Sequence, residues 1–77
     1  MPRKAETKVG YEIARRREAK GWTQQELADA AELSQPYVSQ VEAGTREPSL
    51  SVLRDLAKAL GVTVDDLLRE PEGPAST

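Results

Sequence analysis

Signals that start and stop helices divide this sequence into short segments, and they constrain its fold more than any other feature. Gly21, Gly44 and Gly61 each stand where a helical pattern stops, and glycine is the residue most often found just past a helix C-terminus. Ser or Thr residues, which can cap a helix N-terminus, occupy positions 23, 34, 49 and 63. The sequence therefore predicts a small all-α domain.

Five helices fit between these signals. Apolar residues recur at helical spacing within the segments, which predicts helices over residues 9–20, 24–31, 35–43, 50–60 and 64–68. In the fourth helix, one inward stripe comprises Leu50, Leu53, Leu56, Ala57 and Leu60. The predicted domain covers residues 9–69, and the polar ends are predicted to form a flexible basic arm (1–8) and a disordered tail (70–77).

The residue types available exclude several classes of protein. The chain has no Cys and no His, so it can form neither a disulfide nor a thiolate metal site, and it lacks the commonest general base. We therefore expect no enzyme activity, no metal and no cofactor. The N-terminus has no apolar run typical of a signal peptide, and no stretch is apolar enough to span a bilayer. These features predict a cytoplasmic protein without membrane contact, and the chain is too short for a separate domain that binds a small-molecule ligand.

Charge is distributed unevenly along the chain. The net charge is −2, which by itself argues against a nucleic-acid partner. The first 20 residues, however, carry seven basic and three acidic side chains, whereas the other 57 carry four and ten. Because surface charges are screened over about 8 Å at physiological salt, the local excess of positive charge matters more than the sum. A solvated face without a partner would show the same asymmetry.

Residues 24–41 have the pattern of two short helices that cross over a tight turn. Such a crossing needs a small residue at the point of contact, and Ala28 meets that need. It also needs apolar residues that hold both helices to the rest of the domain, and these are present at Leu27, Ala31, Leu33, Val38 and Val41. Thr23, with Glu26 three residues later, has the sequence of a capping box at the start of this unit. The sequence therefore predicts a helix-turn-helix.

Three segments carry a resemblance to a known family: GWTQQELA at 21–28, SQPYVSQVEAG at 34–44 and PSL at 48–50. Through them the chain resembles the lambda-repressor-like, Cro/CI-type helix-turn-helix family, and the likeness extends over residues 9–69. The resemblance implies a compact five-helix DNA-binding domain whose third helix enters the major groove, usually in a dimer. Two positions depart from the family pattern. Glu32 replaces the common turn glycine, which predicts a left-handed non-Gly residue, and Arg16 replaces a common core leucine.

The exposed face of the third helix is the surface that this resemblance presents to DNA. Four residues there are predicted to contact bases: Gln35, Pro36, Ser39 and Gln40. A glutamine amide both donates and accepts, which matches the N6/N7 edge of adenine. The same residues would also suit a polar face that contacts water alone.

Contacts to the DNA backbone are predicted elsewhere in the domain. Gln24 begins the second helix, whose N-terminus favours a phosphate, and the resemblance makes it a backbone clamp rather than a simple first-turn residue. Tyr37 and Arg46 are further phosphate candidates, although Tyr37 also suits half-buried support and Arg46 suits an ordinary loop charge. Arg3 and Lys4, on the arm, could lie along a phosphate strand or in the minor groove, or have no role.

Two further contacts are predicted, one within the domain and one between copies. The resemblance implies that Arg17 pairs with Glu42 at the end of the third helix, although Arg17 could be a surface cation. A homodimer on a palindromic operator is expected, because one such helix covers too few base pairs for selective binding in a genome. Its interface is predicted from apolar residues that crowd the end of the domain: Leu60, Val62, Val64, Leu67 and Leu68. These residues could instead close the core of the domain itself.

Two functions fit the sequence. The first is a sequence-specific DNA-binding transcriptional regulator, a repressor or controller that occupies a promoter. The second is a protein-interaction module, such as an antitoxin or scaffold, that uses the same fold without reading DNA. The negative net charge and the neutral third helix leave the second alternative open.

Overall fold

Five helices form in residues 8–68, which are the residues that the computed structural model describes. In chain order they are α1 (Lys8–Ala19), α2 (Gln24–Ala31), α3 (Gln35–Ala43), α4 (Leu50–Leu60) and α5 (Val64–Leu68). This part of the chain contains no strand, so the predicted all-α fold is confirmed. The first helix begins and ends one residue earlier than predicted, and the other bounds agree. The predicted tail and the first seven residues of the predicted arm lie outside the described residues.

Side-chain caps start the helices where the sequence predicted them. The Thr23 hydroxyl accepts from the Glu26 N–H (3.0 Å), and the Glu26 carboxylate accepts from the Thr23 N–H (2.8 Å), which confirms the capping box. The hydroxyls of Ser34, Ser49 and Thr63 each accept from the N–H three residues later. Each cap satisfies a backbone donor that the first helical turn would otherwise leave without a partner.

Left-handed residues end the first four helices. Glu32 follows α2 in this conformation (φ 62°, ψ 44°), as the absence of the turn glycine predicted. The N–H of the next residue, Leu33, reaches back to the Ala28 carbonyl oxygen (2.8 Å) and turns the chain towards α3. Glycines adopt the same conformation after α1, α3 and α4, at positions 21, 44 and 61. A residue with a Cβ is strained in this conformation, so the turn of the helix-turn-helix carries a cost that the three glycine positions avoid.

All five helices contribute to one core. The largest fully buried side chains are Ile13, Leu27, Leu56, Leu67, Val38 and Val41. Ala28, the small residue predicted at the helix crossing, is also fully buried. Contacts join α3 to α1 and α2 to α4, so the helix-turn-helix rests on α1 and α4, and α5 packs against those two helices. The position of Leu50 differs from the prediction: it is 54% exposed, because it is the first residue of α4 and lies one turn ahead of the core.

Candidate nucleic-acid interface

The helix-turn-helix consists of α2, α3 and the turn at 32–34. It positions the four predicted base-contacting residues, which we call the reading face: Gln35, Pro36, Ser39 and Gln40. Val38 and Val41 are buried and hold α3 against α1 and α2. The opposite side of α3 therefore faces outward. The four predicted base readers differ in exposure there: Pro36 and Gln40 are exposed, whereas Gln35 and Ser39 are half-buried.

Arg17 and Glu42 join α1 to the end of α3. Arg17 Nε donates to Glu42 Oε2 (2.7 Å) and Arg17 Nη2 donates to Oε1 (3.0 Å), which makes a bidentate ion pair. The third nitrogen, Nη1, donates to the carbonyl oxygen of Trp22 (2.7 Å). The two side chains are only 11% and 6% exposed, respectively. The structure thus brings together the two residues that the resemblance paired, and the hydrogen bond to Glu42 raises the pKa of the Arg17 guanidinium above its usual value.

A chain of amide hydrogen bonds runs from this ion pair to the reading face. Gln24 Nε2 donates to Glu42 Oε1 (2.9 Å), and Gln24 Oε1 accepts from Gln35 Nε2 (2.8 Å). Chemistry determines the direction of this chain, because an ionised carboxylate can only accept. Gln24 must therefore turn its NH2 group towards Glu42 and its oxygen towards Gln35. Gln35 must in turn be the donor.

The orientation of Gln35 decides what this side chain can still offer to a ligand. One N–H of its amide is used on Gln24, which leaves the second N–H and the carbonyl oxygen. A donor beside an acceptor is complementary to the N7 acceptor and N6 donor that adenine presents in the major groove. Sequence reasoning found Gln35 as a candidate reader, but it missed the contacts from α2 and the end of α3 that orient the amide.

Gln40, the other glutamine of the reading face, has a different partner. Arg46 Nε donates to Gln40 Oε1 (2.9 Å), and the guanidinium carbon of Arg46 lies 5.4 Å from the centre of the Tyr37 ring. Tyr37 is half-buried and packs against the core, so its ring offers Arg46 a rigid surface. The structure therefore joins three residues that the sequence analysis singled out separately.

The remaining predicted DNA contacts are Gln24 and two residues of the arm. Gln24 is the first residue of α2, and its amide nitrogen has a second N–H besides the one that it donates to Glu42. Arg3 and Lys4 lie outside the described residues, so their contact with DNA stays a prediction.

A second ion-pair cluster lies on α1, and the sequence analysis did not single it out. Glu12 is buried (4% exposed), and its carboxylate accepts from Arg15 Nη2 (2.6 Å) and Arg16 Nε (2.7 Å). The hydrogen bond from Arg15 lowers the pKa of Glu12 below its usual value, against the opposing effect of burial, and Arg16 lowers it further. The same bond raises the pKa of Arg15. The available signal was the spacing of three and four residues, because such positions face each other on a helix.

The apolar residues predicted for a dimer interface divide into two groups. Leu60 (6% exposed) and Leu67 (0% exposed) are buried in the core of their own domain, so they offer no surface to a partner. This corrects the prediction for those two residues, and the reason is that α5 packs against both α1 and α4. Leu68 is 51% exposed, and Val62 and Val64 are half-buried at the edge of the core. We refer to these three residues as the C-terminal patch.

Residues 8–68 contain neither a metal-binding cluster nor a membrane-spanning helix. No group of three or more acidic side chains in this range is placed to hold a metal ion. None of the helices in it is both long enough and apolar enough to cross a membrane.

Comparison with known proteins identifies the family. A family model described as helix-turn-helix matches residues 13–67, which is most of the described domain. The HTH-type transcriptional regulator DdrOP3 of Deinococcus deserti is 43% identical over 56 residues, which cover 73% of this chain and 43% of that protein. The chain therefore spans less than half the length of that relative.

Two solved structures of restriction-modification controller proteins are similar to this fold. C.AhdI from Aeromonas hydrophila is 38% identical with a TM-score of 0.76, and the match covers 78% of this chain and 91% of that chain. C.Esp1396I, as a tetramer in complex with its natural 35 base-pair operator, is 26% identical with a TM-score of 0.72, and the match covers 88% of this chain and 100% of that chain. Together with the five-helix architecture and the α2–turn–α3 geometry, these matches show that the chain belongs to the helix-turn-helix family of DNA-binding transcriptional regulators.

Proposed function

We propose that this protein binds a specific double-stranded DNA operator through α3, which enters the major groove, and that it regulates transcription by occupying a promoter. The observation that carries the proposal is the hydrogen-bond chain from Glu42 through Gln24 to Gln35. This chain holds a reader amide in one orientation before DNA arrives, so less side-chain freedom is lost on binding. Pro36 and Ser39 lie beside the readers, where an apolar ring suits a thymine methyl group and a hydroxyl suits either edge of a base pair.

Backbone contacts would set the register of α3 without reading sequence. A phosphate at the start of α2 meets the second N–H of the Gln24 amide and the positive end of the helix dipole. Arg46 and the hydroxyl of Tyr37 are further phosphate donors, and Arg3 and Lys4 would add positive charge from the arm. A protein that binds an operator works where the DNA is, so the proposal implies a cytoplasmic location.

A homodimer on a palindromic operator is part of the proposal. A two-fold pair presents two copies of α3 to half-sites about 34 Å apart, one turn of DNA. The described domain measures 37 × 25 × 24 Å, so two copies side by side suit that spacing. The tetramer of C.Esp1396I on its 35 base-pair operator supports the assembly of several copies on one DNA molecule. We assign the two-fold contact to the C-terminal patch.

Selection of bound duplexes from a random DNA pool tests the proposal and yields the operator. The expected result is a palindromic sequence whose affinity falls with increasing salt. In Gln35→Ala protein, one position in each half-site should lose its preference, which is worth about 1–3 kcal/mol against a wrong base. Gln25→Ala is the matched control, because Gln25 is an exposed glutamine of α2 whose amide bonds Asp29 (2.9 Å). If no sequence is enriched and DNA does not bind even at low salt, the proposal fails and the protein-interaction module is favoured.

Sedimentation at micromolar concentration tests the dimer. Leu68→Glu should give a monomer with unchanged helix content, because it places a charge in the C-terminal patch. Leu50→Glu is the control, since Leu50 is equally exposed (54% against 51%) but lies at the opposite end of α4 from α5. A wild-type protein that is monomeric both free and on the selected operator would refute the dimer.

A further inference from the structure

The two glutamines of the reading face are held by opposite kinds of partner. Gln35 donates to an amide whose direction is set by Glu42, whereas Gln40 accepts from Arg46. Arginine carries no acceptor, so the atom of Gln40 that faces it must be the oxygen. The two amides are therefore both oriented, but they leave different groups free.

Arg46 follows the end of α3 in the chain, but backbone and aromatic contacts hold its side chain against that helix. Gly44 is left-handed (φ 85°), and the N–H and hydroxyl of Thr45 both donate to the backbone carbonyl of Gln40 (3.0 and 3.2 Å). The guanidinium of Arg46 then lies over the Tyr37 ring, where a cation–π contact holds it. Arg46 is thus placed beside Gln40 by contacts that do not depend on the Gln40 side chain.

We propose that Arg46 is a specificity-determining residue that acts through Gln40, an inference that rests on the DNA-binding function proposed above. Arg46 engages one lone pair of Oε1 and holds that oxygen towards itself, so Gln40 presents mainly the two N–H donors of Nε2 to a base. Base edges that carry acceptors alone suit such a group, namely N7 and O6 of guanine or O4 of thymine. Adenine and cytosine each present an amino donor in the major groove, which would face the Gln40 donors without a partner.

The two readers therefore have different preferences. Gln40 selects a keto base, guanine or thymine, whereas Gln35 keeps the donor and acceptor that together suit adenine. The sequence alone does not separate the two readers, because any glutamine amide without a fixed partner can match the N6/N7 edge of adenine. Arg46 acts here as a positioning residue that orients Gln40. This role is distinct from its predicted contact with a phosphate.

Selection from a random DNA pool with the full chain and its variants tests this inference. Gln40→Ala identifies the base pair that Gln40 reads, as the position where preference is lost. There the wild type should favour guanine or thymine over adenine by about 5- to 140-fold, which is the range that about 1–3 kcal/mol per base contact gives at about 1.4 kcal/mol per tenfold. The base recovered distinguishes the guanine edge from the thymine edge. In Arg46→Met the released amide can rotate to accept from adenine N6, so the ratio should fall towards one.

The controls separate this effect from a general loss of affinity. Arg46→Met also removes a predicted phosphate contact, which weakens all sequences alike, so the comparison uses ratios of affinities within each variant. Arg54→Met removes another exposed arginine, on α4, and should leave the ratio at its wild-type level. The preference at the position read by Gln35 should be the same in all of these proteins. In the free protein, the NMR signals of the Gln40 side-chain NH2 group should shift in Arg46→Met and not in Arg54→Met.

Three results would overturn the inference while leaving DNA binding intact. They are adenine selected by the wild type at the Gln40 position, an unchanged base ratio in Arg46→Met, and unchanged Gln40 NH2 signals in that variant. If the wild type selects no sequence at all, the proposed function fails and the inference fails with it.

Discussion

Replacing Arg17 with alanine should destabilise this protein far more than the loss of a surface ion pair. The change removes three hydrogen bonds, two to Glu42 and one to the Trp22 carbonyl oxygen. It leaves a carboxylate that is only 6% exposed with one recorded donor, the amide of Gln24 (2.9 Å). Breaking a buried pair in this way costs about 3–5 kcal/mol, against about 0–1 kcal/mol for an exposed pair. The free energy of unfolding of a domain of about 60 residues is about 3–9 kcal/mol, so this loss should leave the variant only marginally folded.

Urea unfolding followed by circular dichroism measures this cost. A double-mutant cycle of Arg17→Ala and Glu42→Ala should give an interaction energy of about 1.5–3 kcal/mol, the range for hydrogen bonds to charged groups. Glu18→Ala is the control, since Glu18 lies 3.6 Å from the same guanidinium but is 70% exposed. It should cost no more than about 0.5 kcal/mol. An excluded osmolyte, such as trimethylamine N-oxide, extends the measurement to variants that are largely unfolded in buffer.

An interaction energy within about 0.5 kcal/mol of zero would refute this reasoning, because independent sites add within that margin. It would mean that replacing either residue costs the same stability whether or not the other is present. Arg17→Lys provides a further check. Lysine keeps the charge but cannot make the bidentate contact, so this variant should recover only part of the lost stability.

Backbone strain, acid stability and salt dependence provide three further tests. Glu32→Gly should stabilise the protein, because the left-handed conformation costs a non-Gly residue about 1–2 kcal/mol. The greater backbone entropy that glycine loses on folding offsets about 0.5–1 kcal/mol of this gain. The melting temperature should rise by about 4–8 °C for each kcal/mol that remains. Gly61→Ala, with open space around the added Cβ, should lower it, and unchanged melting in both variants would contradict the strain. Glu12→Gln should reduce the loss of stability at acid pH. The pKa of Glu12 is lowered in the folded state, so the stability that this carboxylate contributes is present above its unfolded-state pKa. That stability is lost as the pH falls through the folded-state pKa, and the glutamine variant has none of it to lose. Thermal melts at a series of pH values below about 5 check this, and parallel losses in wild type and variant would be evidence against it. Joint replacement of Arg3 and Lys4 by alanine should make the slope of log K against log salt shallower by about 3.6 in a dimer, which is about 0.9 for each of four phosphate contacts. An unchanged slope would mean that the arm does not touch DNA.

The helices could be predicted because most of their ends depend on a local signal. A cap such as Thr23, or a left-handed residue such as Gly44, acts within one turn, so the sequence alone contains it. Burial was harder to predict at the ends of elements. Periodicity assigned Leu50 to the inner face of α4, but it does not indicate how far the core extends along the helix. Nor could it decide whether Leu67, in a five-residue helix, covers its own domain or a partner.

The candidate site could be predicted as a set of residues but not as a geometry. Gln35 and Gln24 are 11 residues apart, and Gln24 and Glu42 are 18 apart, so no periodic pattern relates them. The pairing of Arg17 with Glu42, 25 residues apart, came from the family resemblance alone. What an amide presents to DNA depends on these distant contacts, because they decide whether its oxygen or its nitrogen is already engaged.

The three consecutive arginines of α1 are paired within the domain, although the positive excess of the first 20 residues was what offset the negative net charge in the sequence analysis. Arg15, Arg16 and Arg17 each pair with a carboxylate of the same chain, Glu12 or Glu42. Non-specific binding comes almost entirely from phosphate contacts by Lys and Arg, so a surface whose arginines are already paired should bind random DNA weakly. In the proposed function, discrimination between sites comes from the oriented amides, each worth about 1–3 kcal/mol against a wrong base. Selection among genomic sites depends on the ratio of specific to non-specific affinity rather than on affinity alone. A net charge of −2 is therefore compatible with a selective DNA-binding protein, because selectivity comes from base contacts rather than from the overall charge.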